Sequence, residues 1–390
     1  MSNETCDEND FTAFTNGVLG LHEEVEDFFT YIRPTAQEHK LRRRVIERME
    51  AVIHDLWPES KVNLFGSYGT GLHLPRSDID LVVTQTSEIL PLQILEKALL
   101  DHNITEPSSI RVIDKATVPI VKLSDKETDI QVDISFNLLT GLASTELIKS
   151  YKHQFPALEK LVMVVKQFLL QRDLNNRRTG GISSYALVLM TISFLQLHPR
   201  QNANYLNSNL GALLIEFLEL YGRKFNYVET CIRLRDGGAY ISKEEIQRSM
   251  IDKPSPLCIE DPIVPSMNKG RDSYKILHVK EAFDWAYSVL SQAVSPHNIL
   301  VNDARKVSNL GRIIRVKDDV IEFRKWIKET FPLSLAETDS LSTSKSTILC
   351  GTFQYFFPTE QLSLEIELKT QGFRFFLTIL CHPSEFTCEA

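Results

Sequence analysis

Apolar positions near the start of the chain recur at helical spacing. Val25, Phe28, Phe29 and Ile32, then Leu41, Val45, Ile46, Met49 and Ile53, fall three or four residues apart, which predicts helix between Glu23 and Trp57. The period then drops to two. Val62 to Phe65 and Ile79 to Val83 predict short strands, "PLQILEKALLDHN" an amphipathic helix and "SSIRVIDKA" a further strand. "VPIVKLSDKETDIQVDISF" predicts a hairpin turning near Lys126. Helical spacing returns after Asn137, at Pro156 to Gln171, Ser183 to Leu197, Leu210 to Tyr221 and Val279 to Val294. The pattern predicts an α+β fold, with a small sheet domain inserted into a mainly helical one. Residues 1–20 are polar and expected to be disordered, 21–60 form helices of the central body, 61–143 carry the sheet and 144–330 the helical domain. In the unassigned extension 331–390, "SLAETDSLSTSKST" reads as a linker, and "LSLEIELKTQGFRFFLTIL" is apolar without an evident partner.

Composition narrows the class. The chain has 390 residues, 43% of them hydrophobic and 24% charged, as in ordinary globular proteins. Its formal net charge of −8 means that a nucleic-acid role cannot rest on a generally basic surface and needs a local track or a basic partner. The compact basic runs, "KLRRRVIER" and "NNRRTGG", suit solvated faces. Six cysteines without CxxC or zinc spacing point to a reduced, intracellular protein. The acidic start "MSNETCDEND" is no signal peptide, and the apolar run Ser183 to Leu197 is too short to span a membrane.

Candidate chemistry lies in "LFGSYGTGLHLPRSDIDLVV". Side chains alternate across a strand, so Asp78 and Asp80 share one face while Ile79, Leu81 and Val83 share the other. In the hairpin, Ile130, Val132, Ile134 and Phe136 alternate with Gln131, Asp133 and Ser135. Two neighbouring strands could bring the three carboxylates together, an arrangement that is costly without cations and suits two Mg²⁺ ions. The bland alternative is a solvated edge strand. Gly66 lets backbone approach closely, and Ser67 offers a hydroxyl and an N–H to phosphate oxygens.

"FGSYGTGLHLPRSDIDLVV" together with "VDISFN" resembles the signature of the DNA polymerase beta-like nucleotidyltransferases. The segments "KQFLLQRDLN", "TGGISSYALVLM", "FLELYGRKFNY", "RDGGAY" and "CIEDP" are similar to the non-canonical poly(A) polymerases, in the branch that serves TRAMP-type nuclear polyadenylation complexes. The resemblance covers roughly residues 25–326. It implies a nucleotidyltransferase palm inserted into a helical central domain, and template-independent addition of AMP from ATP to RNA 3′ ends. It also implies that Asp78 and Asp80 hold two Mg²⁺ ions (Mn²⁺ able to substitute), with Asp133 completing the ion nearer the RNA 3′-hydroxyl. Ser67 would touch the triphosphate, Ser144 and Thr145 the ribose and sugar–phosphate, and Lys166 the β- and γ-phosphates. Tyr185 would stack on the base, with Ser184 bonding nearby. In "CIEDPIVPSMNKGR", Asp261, Met267, Asn268 and Arg271 would face the base edge. Similar uridylyltransferases carry histidine where Met267 stands. A separate RNA-binding partner of zinc-knuckle type and a nuclear location, compatible with a cytoplasmic pool, are also implied. Three alternatives stay open: a terminal uridylyltransferase of the same fold, a repair DNA polymerase, and a catalytically silent scaffold.

Overall fold

Pro34 divides the N-terminal helical pattern in two, because proline offers no N–H and clashes with the preceding turn. Helix α1 spans Glu8–Ile32 and α2 spans Ala36–Leu56. Thr35 starts α2 with a capping box: its hydroxyl accepts the Glu38 N–H at 3.2 Å while the Glu38 carboxylate accepts the Thr35 N–H at 2.6 Å. The computed structural model describes residues 8–84, 91–116, 118–200, 208–247, 250–251, 255–295, 308–332, 353–356, 362–370 and 373–381. They fall into two units, one ending at Glu329 and one beginning at Thr330. The first helix begins inside the segment expected to be disordered. Phe11, Phe14, Val18, Leu21 and Val25 continue its apolar spacing upstream, and Val18, Leu21 and Val25 are buried.

The sheet follows. Strands β1 (Lys61–Phe65) and β2 (Ile79–Thr84) flank the short helix α3 (Gly66–Thr70). Helix α4 (Leu92–Asp101) leads to β3 (Ile110–Ile113), β4 (Ile120–Ser124) and β5 (Gln131–Phe136). Strand order is β1-β2-β5-β4-β3, with β2 and β5 parallel and the other pairs antiparallel. Ile79, Leu81, Val83, Val132 and Ile134 are fully buried, and α4 packs on α2, β3 and β4.

The helical body comprises α5 (Leu139–Gln154), α6 (Leu158–Leu170), α7 (Ser184–Gln196), α8 (Leu210–Glu219) with a π turn over Leu220–Lys224, α9 (Lys243–Gln247) and α10 (Ile276–Ala293). Helix α7 is buried from Ala186 to Leu195, which explains its apolar run all round. Because α1 packs on α6 and α8, the chain leaves the helical body to build the sheet and then returns, the insertion expected. Helix α5 escaped the periodicity because only Thr145 and Ile148 are buried on it. A second sheet also escaped it: β6 (Thr230–Arg233), β7 (Ala239–Ser242) and the two-residue β8 (Cys258–Ile259) are too short to show a period. Helix α11 (Asp318–Thr330) is tied to the capping box by Arg324, whose Nε lies 2.9 Å from Glu38. Among the described residues no helix is long and apolar enough to cross a membrane.

In the C-terminal unit, β9 (Phe353–Phe356), β10 (Leu362–Thr370) and β11 (Phe373–Cys381) form an antiparallel sheet in the order β11-β10-β9. The linker reading of 334–347 lies outside the described residues.

Between α3 and β2, His73 is 2% exposed and neither ring nitrogen has a hydrogen-bond partner among the described residues. It packs against the rings of Tyr68 at 4.8 Å and His39 at 6.1 Å. Burial, reinforced by the nearby Arg42 charge, pushes its pKa down to about 3. The unfolded chain therefore takes up a proton that the folded one refuses, and this contribution to stability shrinks as pH falls below 6.5. Asp80, raised by its own burial, acts in the opposite sense, so the comparison is with a variant. His73→Leu is expected to gain stability relative to the native chain by about 1.4 kcal/mol per pH unit below 6.5. Urea unfolding at pH 7.5, 6.5 and 5.5 checks this, and a constant difference would contradict a neutral buried histidine.

Candidate active site

The β2–β5 register sets Asp80 directly beside Asp133, and the β5–β4 register sets Asp133 beside Lys122. Their neighbours Ile79, Leu81, Val132, Val121 and Leu123 fill the apolar face, so strand parity leaves the charged side chains on the other. Asp78 stands at the entrance to β2. The Lys122 Nζ donates to Asp78 Oδ2 at 2.7 Å and to Asp133 Oδ1 at 2.9 Å. Burial works to lower the Lys122 pKa, but the two carboxylates outweigh it and the net shift is upward. Asp133 is raised, chiefly by burial and against the pull of Lys122. Asp80 is pushed up to about 7 by burial, with the Asp133 and Asp78 charges adding to it.

Three aspartates are the hard oxygen donors that suit Mg²⁺. Among the described residues, however, no three such groups form a finished ligand cluster. The Lys122 ammonium lies between two of them, a cation of the protein's own standing where a divalent ion would neutralise the same charges. The donor set therefore fits a divalent metal, and Asp80 remains the carboxylate least compensated.

Gly66 has φ +62°, and a Cβ there would lie 2.3 Å from Asp80 Oδ2. Only glycine permits both that conformation and the close approach of loop to carboxylate. The Gly66 N–H donates to Thr145 Oγ1 at 3.2 Å, and that hydroxyl donates to the Gly141 carbonyl at 3.0 Å. Beside the loop opens a cavity of about 250 Å³ whose lining includes Gly66, Ser67, Asp80, Lys166, Ser184 and Tyr185. A second cavity shares Ser67, Asp80, Lys166 and Ser184 with it and adds Asp78. Lys166 is buried, and its Nζ donates to the Leu72 carbonyl at 2.8 Å. Burial lowers its pKa to about 8, and Asp80 partly restores it. The ammonium thus faces the cavity with little solvent around it.

The structure brings Asp78, Asp80, Asp133, Gly66, Ser67, Lys166, Ser184 and Tyr185 together around these two cavities. The remaining expectations are met differently. Ser144 donates to the Thr140 carbonyl at 2.8 Å and lies against the Tyr185 hydroxyl. Thr145 is buried with its hydroxyl spent on Gly66 and Gly141, so it holds the loop and does not line the cavity. Asp261 sits behind Tyr185. It accepts the tyrosine hydroxyl at 3.3 Å and the Ile263 N–H at 3.1 Å, and pairs with Lys269 at 2.9 Å. Buried Asn268 accepts the Ile259 and Gly270 N–H groups and donates to Ser255 and Leu257, stitching the loop together. Met267 is half-buried, with its carbonyl accepting the Asp261 N–H, and Arg271 lies 3.5 Å from Asp272. Neither lines the cavities described here. Lys122 is not evident from the alternation in β2 and β5, because it lies on β4. The alternation of Val121 and Leu123 on β4 would have placed it on the charged face.

Comparison with known proteins agrees with this geometry. Residues 21–153 match the central palm domain of mitochondrial-like poly(A) RNA polymerases, and residues 209–267 match the Cid1 family poly A polymerase domain. The inactive non-canonical poly(A) RNA polymerase protein Trf4-2 of Drosophila melanogaster is 40% identical over 330 residues, covering 82% of this chain and 80% of that one. The chain belongs to the non-canonical poly(A) polymerases. The polymerase core of TRAMP, an RNA surveillance complex, has the same fold with a TM-score of 0.67 and 35% identity, covering 80% of this chain and 96% of that one. The Cid1 poly(U) polymerase follows at 0.60 and 25%, covering 70% and 93%. The chain spans between 36% and 57% of the length of the fungal poly(A) RNA polymerases that it matches. Members of this family thus include proteins named for poly(A), for poly(U) and as inactive, and the five-stranded sheet described above is their nucleotidyltransferase palm.

The Thr145 bond separates a loop anchor from a ribose contact. Thr145→Val, which leaves the Gly66 N–H without its partner, is expected to cost about 1–3 kcal/mol of stability. In calorimetric titrations it should weaken any ribonucleoside triphosphate that binds and its 2′-deoxy and 3′-deoxy forms by the same factor. A loss confined to nucleotides bearing the missing hydroxyl would restore the direct contact.

Proposed function

We propose that the protein adds AMP from ATP to RNA 3′ ends without a template. The observation that carries this reading is the Asp80–Asp133 register at the mouth of a cavity lined by Gly66, Ser67, Lys166 and Tyr185. In this proposal residues 61–143 form the catalytic palm and 144–330 the helical domain that completes the nucleotide site. Asp78 and Asp80 would hold two Mg²⁺ ions, or Mn²⁺ in their place, and Asp133 would share the one on the acceptor side. Bound there, such ions supply Lewis-acid activation of a hydroxyl and charge neutralisation on a leaving pyrophosphate.

The protein's own groups do the positioning. Ser67 offers a hydroxyl and an N–H to the triphosphate, while Gly66 holds the loop against Asp80. Lys166 keeps its charge by meeting the β- and γ-phosphates, which would repay the desolvation that now lowers its pKa. The Tyr185 ring, fixed from behind by Asp261, stacks on the base, and Ser184 bonds beside it. The RNA 3′-hydroxyl releases its proton to solvent as its oxygen bonds to the α-phosphorus, the bond from the α-phosphorus to the bridging oxygen breaks and pyrophosphate leaves with that oxygen.

Where similar uridylyltransferases carry histidine this chain has Met267, which lies outside the two cavities, offers no side-chain hydrogen bond to uracil and adapts its shape to a purine. This favours ATP over UTP. Charge and the lack of an RNA-recognition motif call for a separate RNA-binding partner, of zinc-knuckle type, and the TRAMP-like fold suggests nuclear RNA surveillance.

One relative is named inactive, so activity itself is the first test. Incubation with single-stranded RNA and each of the four nucleotides is expected to give short tails, longest with ATP. Asp133→Asn should lower the rate on the order of a hundredfold or more while leaving the thermal unfolding profile cooperative. Absence of tailing by the native chain would favour a scaffold. Equal use of ATP and UTP would overturn the nucleotide assignment.

A further inference from the structure

The Lys122 side chain crosses the strand between it and its farther partner. It rises from β4, passes beside Asp133 on β5 and reaches Asp78 at the edge of β2, so one ammonium joins three adjacent strands. Val121 and Leu123 on either side are fully buried, which fixes the backbone beneath it. The side chain itself is 31% exposed, and a flexible four-carbon stem lets its head swing to water. Its hydrogen bonds go to Asp78 and Asp133, while Asp80 receives none from it. The carboxylates therefore start unequal. Asp80 opens onto the cavity lined by Ser67 and Lys166, whereas Asp78 and Asp133 are already held by a cation.

We propose that Lys122 is a built-in counter-ion for Asp78 and Asp133, which a divalent cation must displace before these two carboxylates can ligate it. Lys122 is thus a positioning residue that holds the two carboxylates until a divalent cation replaces it. With the ammonium in place, the sheet tolerates its adjacent carboxylates, because two of the three are hydrogen-bonded to a fixed charge. Without it, mutual repulsion would make the cluster both less stable and hungrier for metal. The inference rests on the metal-binding reading given under Proposed function.

The test measures Mn²⁺ binding by electron paramagnetic resonance on the full chain, with no nucleotide or RNA present. Lys122→Met keeps the length of the side chain and removes its charge. It is expected to bind Mn²⁺ about tenfold more tightly than the native chain, and to melt at lower temperature than native without Mn²⁺ but to regain the difference when Mn²⁺ is added. Lys122→Arg, which retains the charge, should bind no more tightly than native. Should Lys122→Met fail to fold, Lys122→Gln replaces it with the same expected gain. Affinity equal to or below native in the neutral variant overturns the counter-ion role. Asp133→Asn, made in both the native and Lys122→Met backgrounds, separates the two levels of the claim. If it abolishes Mn²⁺ binding while the neutral variant shows no gain, only the role of Lys122 fails. If it leaves Mn²⁺ binding untouched in both backgrounds, the metal reading falls and this inference with it.

Discussion

Asp80 and Asp133 occupy paired positions on adjacent parallel strands, where like charges repel. Their strands cannot turn these side chains elsewhere. A slip of one residue would carry them into the apolar face and expel Ile79, Leu81, Val132 and Ile134, all fully buried, from the core. Hydrophobic burial thus forces the electrostatic cost, and the surrounding structure manages it. Lys122 pairs with two of the three carboxylates and offsets one of their charges. Gly66, a glycine in a conformation that other residues avoid, brings the loop against the third.

Much of the remaining fold supports that arrangement. Helix α5 lends Thr145 to hold the Gly66 N–H. Helices α6 and α7, buried nearly all round, present Lys166, Ser184 and Tyr185 from a rigid wall. The small sheet of β6, β7 and β8 ends at the loop that sets Asp261 behind Tyr185, and Asn268 ties that loop shut with four hydrogen bonds. The site therefore has two sides of different character. The palm contributes charge, and the helical body contributes shape and one desolvated ammonium.

What was legible in the sequence follows from which interactions are local. Strand parity sets Asp78 with Asp80, and Asp133 with Gln131, since the alternation is a property of each strand by itself; that the two faces coincide follows from the β2–β5 register. Helices with a continuous apolar stripe were equally readable. Helix α5 was not, because it buries so little that its period is faint. The strands β6 to β8 were not, because they exist through pairing partners distant in the chain. Side chains that act on other side chains were hardest to foresee. Thr145 and Asn268 carry residue types common to many contacts, and only the folded neighbours show that their bonds are spent on backbone. Lys122 belongs to the same class, a lysine in a strand whose meaning depends on two aspartates from two other strands.

In the proposed reaction these carboxylates would hold divalent cations against the α-phosphate of a nucleotide during transfer to RNA. The most direct measurement of that role is incorporation of the two diastereomers of the α-thio analogue of ATP in Mg²⁺, Mn²⁺ and Cd²⁺. Sulfur is a poor ligand for hard Mg²⁺ and a better one for softer ions. One diastereomer is expected to be used poorly with Mg²⁺ and rescued by Mn²⁺ or Cd²⁺. A ratio between the diastereomers that stays the same in all three ions would contradict that role.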